Sequence, residues 1–237
     1  MSTPLYFQDC YLKEWDAIVK EVSKGKYVVL DQTAFYPNAG GQPYDTGTMT
    51  TEDGQIFKIV YVGKFSGELS HEVDKEGLES GMKVHCKIDW DRRHVFMRYH
   101  TSSHVLDKVI FDDCGANITG NQISLDKTRI DFPLEDFTEE KVKEFERKAN
   151  EIIQKNIPIE LELLPREQAE KKYPDLFRLA KSFPEHIKEI RTVTLKGLDT
   201  QACGGTHVNN TSEIGKIEIF KKENKGKNNR RIYFRLV

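Results

Sequence analysis

Two short stretches carry the residues most capable of chemistry. "YHTSSH" at 99–104 sets His100 and His104 four apart, and "ACGGTH" at 202–207 sets Cys203 and His207 four apart. Residues i and i+4 of a helix share a face one turn apart, so two imidazoles at that spacing can reach one ion. Two adjacent glycines cost about 1 kcal/mol each inside a helix. Gly204 and Gly205 therefore predict a tight turn that brings Cys203 and His207 to one point. A thiolate with three neutral imidazoles is a soft, nitrogen-rich donor set that suits zinc. The HxxxH half by itself reads equally well as two helix-surface histidines, and His85 and His94 have no motif around them. With four protein ligands, a zinc is structural, or exchanges one ligand, or becomes five-coordinate with substrate. Ligand chemistry alone leaves all three open.

The elements that must position these residues divide in two. In the first ninety residues "KYVVLDQTAFY" and "QIFKIVYVGKF" are strand-like, and "MKVHCKIDW" alternates with period two. Turn signals ("PNAGGQP", "EDG", "SGE") separate them, which predicts a small β-barrel over residues 1–90. From Arg92 to Asp112 the apolar residues Phe96, Tyr99, Leu106 and Ile110 recur at helical spacing, with Ser103 on their face. The histidines border this stripe, at the edge of a core. "CGAN" breaks the helix and "QISLDKTRIDF" follows as a strand or hairpin. Thr138 caps a second amphipathic helix running to about Lys155, with Glu139 and Glu140 in its first turn. "IPIELELL", "IRTVTLKGL" and "EIGKIEIF…RRIYFRLV" read as strands, and Pro165 opens a short helix. The fold class is thus α+β, with residues 91–237 forming a second domain.

Composition narrows the function classes. Hydrophobic residues are 38% and charged residues 31% of 237, which suits a globular chain and excludes disorder. Apolar runs such as "YVVL" are too short to span a bilayer, and the start lacks the basic and apolar regions of a secretory signal. Four widely spaced cysteines predict a reducing, cytoplasmic setting. Net charge is only −2, yet residues 221–235 hold seven Lys/Arg against one Glu. That stretch reads either as a phosphate contact, with Lys225, Lys227, Arg230 and Arg231 as candidates, or as a solvated hairpin guarded by cations. Gly40, Gly41, Asp45 and Gly47 form either an RNA-contacting loop or an ordinary barrel turn. Arg129 and Asp131 share a strand face, as an ion pair or as lining of a site entrance. No Walker or dinucleotide glycine motif is present, which argues against a nucleotide cofactor.

Four stretches together resemble one family. "FYPNAGGQPYDTG" at 35–47, "HTSSH" at 100–104, "TGNQISLDKTRIDF" at 119–132 and "CGGTHVNNTSEIG" at 203–215 stand in the order found in the alanyl-tRNA editing proteins (AlaX). These are the free-standing relatives of the editing domain of alanyl-tRNA synthetase. The layout is similar to the medium-length form, an N-terminal β-barrel joined to the zinc-bearing domain shared with threonyl-tRNA synthetase. The resemblance implies a deacylase that hydrolyses mischarged tRNA(Ala) in trans, chiefly Ser-tRNA(Ala) with Gly-tRNA(Ala) as a second substrate. It also implies His100, His104, Cys203 and His207 as zinc ligands. A zinc hydrolase for another mischarged aminoacyl-tRNA, or an RNA-binding module with structural zinc and no catalysis, are the competing readings.

Zinc in such a site would either activate a water or hold the amino group of the substrate. No Ser-His-Asp arrangement is apparent, so the base is water or the terminal hydroxyl of the tRNA. Serine exceeds alanine by one hydroxyl, and polar groups that expect it are left unpaired by alanine. Thr101 and Ser103, with Gln122 on the neighbouring strand, are the candidates for that selection. Simple helix packing is the alternative for the hydroxyl residues.

Overall fold

The computed structural model describes residues 2–135, 137–177, 187–226 and 229–237. Clustering of contacts divides the chain into two compact units, Met1–Val95 and Phe96–Val237. The division falls five residues beyond the boundary expected at 90.

The first unit contains strands β1 (Thr3–Pro4), β2 (Glu14–Ser23), β3 (Tyr27–Leu30), β4 (Gln32–Thr33), β5 (Gly47–Thr51), β6 (Ile56–Phe65), β7 (Glu68–Val73) and β8 (Lys83–Ile88). Six of them close a barrel in the order β2-β3-β7-β6-β5-β8, with β8 returning to β2. Alternation sets the inside. In β8, Val84, Cys86 and Ile88 are buried while Lys83, His85 and Lys87 face out; in β2, Trp15, Ala17 and Val19 point inward between Glu14, Asp16 and Lys20. The polar side chain of His71 also lies in this interior. His71 is buried, pushed down to about 4 by burial, with Nδ1 donating to the Val28 carbonyl and Nε2 2.9 Å from Thr33 Oγ1. An unfolded histidine titrates near 6.5, so between 6.5 and about 4 the unfolded chain binds a proton that the barrel refuses. The stability is complete above 6.5 and falls as pH drops toward 4, by about 3 kcal/mol at 1.36 kcal/mol per unit. Titration of the His71 ring by NMR should give a midpoint near 4; a midpoint near 6.5 would show that water reaches the ring.

The loop from Tyr36 to Asp45 is tied from within. Asp45 is fully buried, accepts the Tyr36 N–H and pairs with the equally buried Arg93, whose guanidinium also reaches the Cys10 carbonyl. Asp45 therefore faces inward and offers nothing to a ligand outside, while Gly40 at the tip is exposed and left-handed (φ 58°).

The second unit begins within helix α1 (Trp90–Cys114) and continues with β9 (Gly120–Ile123), β10 (Thr128–Phe132), α2 (Glu139–Gln154), β11 (Ile159–Pro165), α3 (Arg166–Lys172), β12 (Glu189–Leu195), β13 (Asp199–Ala202), β14 (Ile217–Asn224) and β15 (Arg230–Leu236). The strands form a four-stranded sheet, β14-β15-β10-β9, and a three-stranded sheet, β11-β12-β13. The molecule is α+β with a small barrel, as expected. "QISLDKTRIDF" is the β9–β10 hairpin, Thr138 caps α2 by accepting the Lys141 N–H, and Pro165 stands at the start of α3. Asp131 pairs with Arg231 directly across the β10–β15 ladder, at 2.6 and 2.9 Å, and not with Arg129. Register, which the sequence does not display, decides that partner.

Candidate metal centre

Helix α1 is buried on every side from Tyr99 to Asp107. The HTSSH stretch thus lies inside the unit and not at a core edge, so each of its polar groups needs a partner. The hydroxyls meet this by bonding back one turn: Thr101 to the Met97 carbonyl at 2.9 Å, Ser102 to that of Arg98 at 2.7 Å, and Ser103 to that of Tyr99 at 2.9 Å. Further along, Asp107 accepts from the Ile118 N–H and from Gln201 Nε2 at 3.0 Å. Gln201 lies in β13, which runs directly into Cys203. A buried carboxylate–amide contact therefore ties the helix that carries two candidate ligands to the strand that leads to the others.

The four candidates converge. The ligand atoms of His100, His104, Cys203 and His207 all lie within 4.8 Å of one another. Cys203 Sγ is 3.4 Å from Nε2 of both His100 and His207. The three imidazole centroids are 4.4–5.3 Å apart. Bond lengths of about 2.0 Å to nitrogen and 2.3 Å to sulfur give a tetrahedral S···N edge of roughly 3.5 Å, which these distances match. Burial first, then the other imidazoles, then the Arg191 charge hold His100 and His207 well below the ordinary histidine range. Both rings are neutral at physiological pH, as metal ligation requires. Cys203 is half-buried and Gly204 exposed, so solvent meets the cluster on this side.

The glycine pair acts differently from the expected turn freedom. Neither Gly204 nor Gly205 is left-handed. At Gly205 a Cβ would lie 1.9 Å from His100 Cε1, so what the position needs is absence of a side chain. The backbone forms a cradle against the imidazole. Donor chemistry, spacing and cradle all fit a zinc ion.

The candidate selector Thr101 sits behind His207. Its Oγ1 is 3.2 Å from His207 Nδ1 and accepts the Val208 N–H at 3.3 Å. With Nε2 turned toward Sγ, Nδ1 carries the ring hydrogen and donates to Thr101, which donates in turn to Met97. One donor and two lone pairs are then all used, and nothing remains for a substrate hydroxyl. Such a contact fixes tautomer and ring direction. Thr101→Val should weaken the affinity of the quartet for zinc about ten- to a hundredfold, while Thr101→Ser should restore it. Competition with a chelator measures both.

The remaining candidates are more scattered. Ser103 is buried beside His104, with both acceptor positions beyond its Tyr99 bond. Gln122 is exposed on β9, opposite Arg129. Arg230 is buried and donates to the carbonyls of Gly226, Asn229 and Glu135. Arg231 is held by Asp131 and Lys225 by Glu223 at 2.9 Å; Lys227 lies outside the described residues. The basic stretch is thus largely neutralised by carboxylates, several of them contributed from other parts of the unit. Sequence reasoning missed Arg191, a cation in the strand run "EIRTVTL" that is buried and donates to the carbonyls of Cys203 and Gly205, both at 2.8 Å.

Known proteins match both units of the chain. Residues 190–233 match the threonyl and alanyl tRNA synthetase second additional domain, and residues 10–92 match class II (A) tRNA synthetases. The chain is 52% identical to the alanyl-tRNA editing protein AlaX-M of Methanosarcina mazei, covering 100% of this chain and 97% of that one. It is 42% identical to AlaX-M of Saccharolobus solfataricus, over 99% and 98%. It is also 42% identical to alanine–tRNA ligase of Thermococcus kodakarensis, where 92% of this chain aligns with 24% of the ligase. With end-to-end similarity at this level, the chain belongs to the AlaX-M family of alanyl-tRNA editing proteins.

Proposed function

We propose that this protein hydrolyses the ester that joins a wrong amino acid to tRNA(Ala), acting in trans, with serine the chief amino acid removed and glycine the second. The convergence of one thiol and three imidazoles within 4.8 Å, in a chain that aligns throughout with proteins named for alanyl-tRNA editing, carries the reading. A zinc ion held by His100, His104, Cys203 and His207 would supply Lewis acidity at the ester. His100 and His207 turn their Nε2 atoms toward Sγ, and as ligands neither is free to take a proton. Cys203 as a ligand is likewise no nucleophile. The proton then passes to water or to the terminal hydroxyl of the tRNA.

Selection of serine over alanine falls to a group with spare hydrogen-bonding capacity. Ser103 has it: its hydrogen is committed to Tyr99, and its lone pairs can accept from a substrate hydroxyl. Ser103→Ala should narrow the preference for seryl over alanyl ester about ten- to a hundredfold, the worth of one lost hydrogen bond of 1–3 kcal/mol. Unchanged discrimination would pass the role to another group, Gln122 being next. The reading as a whole is tested by offering purified protein Ser-, Gly- and Ala-tRNA(Ala) beside a tRNA mischarged for another amino acid. Cleavage confined to the first two supports it; binding without turnover would leave an RNA-binding module.

For the tRNA backbone, the tip formed by exposed Gly40 and half-buried Gly41 is the contact we propose. Lys225, Arg230 and Arg231 are occupied within the protein.

A further inference from the structure

We infer that Arg191 is a positioning residue of the metal centre, holding the Cys203–Gly205 backbone so that the thiolate faces the imidazoles; the inference rests on the metal reading above. The turn contains three consecutive peptides. The first contains the carbonyl of Cys203 and the third that of Gly205, and Arg191 Nη1 donates to both at 2.8 Å. The peptide between them carries the Gly205 N–H, which points to Cys203 Sγ at 3.4 Å. Pinned on either side, this N–H has one direction, and a donor aimed at a thiolate is a charge-assisted bond. Arg191 is itself fixed. It lies in β12, the central strand of its sheet, and its own carbonyl accepts the Cys203 N–H at 3.1 Å.

A packing role accounts poorly for this residue. Ile190, Val193 and Leu195 fill the same strand with apolar side chains, and an arginine only 4% exposed is costly there unless its hydrogen bonds are met. Two of those bonds go to the loop that bears a candidate ligand. The guanidinium is planar, so it offers a fixed geometry that a flexible ammonium does not.

The test uses the full chain loaded with Zn²⁺ or, for spectroscopy, Co²⁺. Arg191→Met should release zinc to a chromogenic chelator at least about tenfold faster, and should shift or weaken the thiolate-to-cobalt charge-transfer band, with far-ultraviolet circular dichroism unchanged. Arg191→Lys keeps the charge without the plane and should show the same changes to a smaller degree; it carries the test if the methionine variant does not fold. Parental release rate and band in a folded variant overturn the inference. Failure of the parent itself to bind Zn²⁺ or Co²⁺ would instead refute the metal reading beneath it.

Discussion

Alanine at His104 or at Cys203 should strip the protein from about one zinc per chain to almost none and abolish ester cleavage, while both domains stay folded. Each substitution removes one corner of a set drawn from α1 and from the loop after β13, whose Cys203 and His100 stand 103 residues apart in sequence. A three-donor remainder still attracts metal, but removal of Cys203 deletes the only anionic donor of the four and His104 one of three imidazoles. Fold retention is expected because contacts independent of the ion join the same elements: Gln201 to Asp107, and Arg98 to the Ile214 carbonyl at 2.7 Å. Elemental analysis together with single-turnover deacylation decides the matter. Full zinc in both variants would sink the ligand assignment; zinc lost with cleavage retained would make the metal structural.

What could be read from the chain beforehand follows from how local each signal is. His100 with His104, and Cys203 with His207, are each complete within five residues, so the quartet was legible although its halves are far apart. The helix around Phe96 and Leu106 and the cap at Thr138 are equally local. The pattern does not pick out strand β2, because the exposed apolar Ile18 between Ala17 and Val19 breaks the alternation that Glu14, Trp15, Asp16 and Ala17 begin. Thr101 was expected to face a substrate, but its partner His207 lies 106 residues on. The same holds for Arg231, whose counter-ion Asp131 is set by strand register. Counting cations in 221–235 gave the right sum and the wrong availability, since Glu218 and Asp131 lie outside that stretch.

Gly205→Ala should empty the centre as thoroughly as loss of a ligand, although it changes no donor atom. The added Cβ would stand 1.9 Å from His100 Cε1 and 2.3 Å from its Nδ1, far inside contact distance. Relief by a small rotation is closed off, because the His100 ring is 5% exposed and has the rings of His104 and His207 at 5.3 and 4.4 Å. Two ways out remain. The ring leaves the cluster, or the turn retreats and takes Cys203 with it against the grip of Arg191. Either removes one donor from the set, and interiors packed to crystal density absorb such shifts only at a cost of about 1–3 kcal/mol. Backbone strain contributes nothing here, as Gly205 is not left-handed. Zinc content should therefore fall to the level of the Cys203→Ala variant, with helix content unchanged by circular dichroism and no thiolate-to-cobalt band after Co²⁺ loading. A Gly205→Ala protein that keeps one tightly held zinc and the parental cobalt spectrum would show that ring and turn can part without leaving the metal, and that close approach is not what the glycine provides.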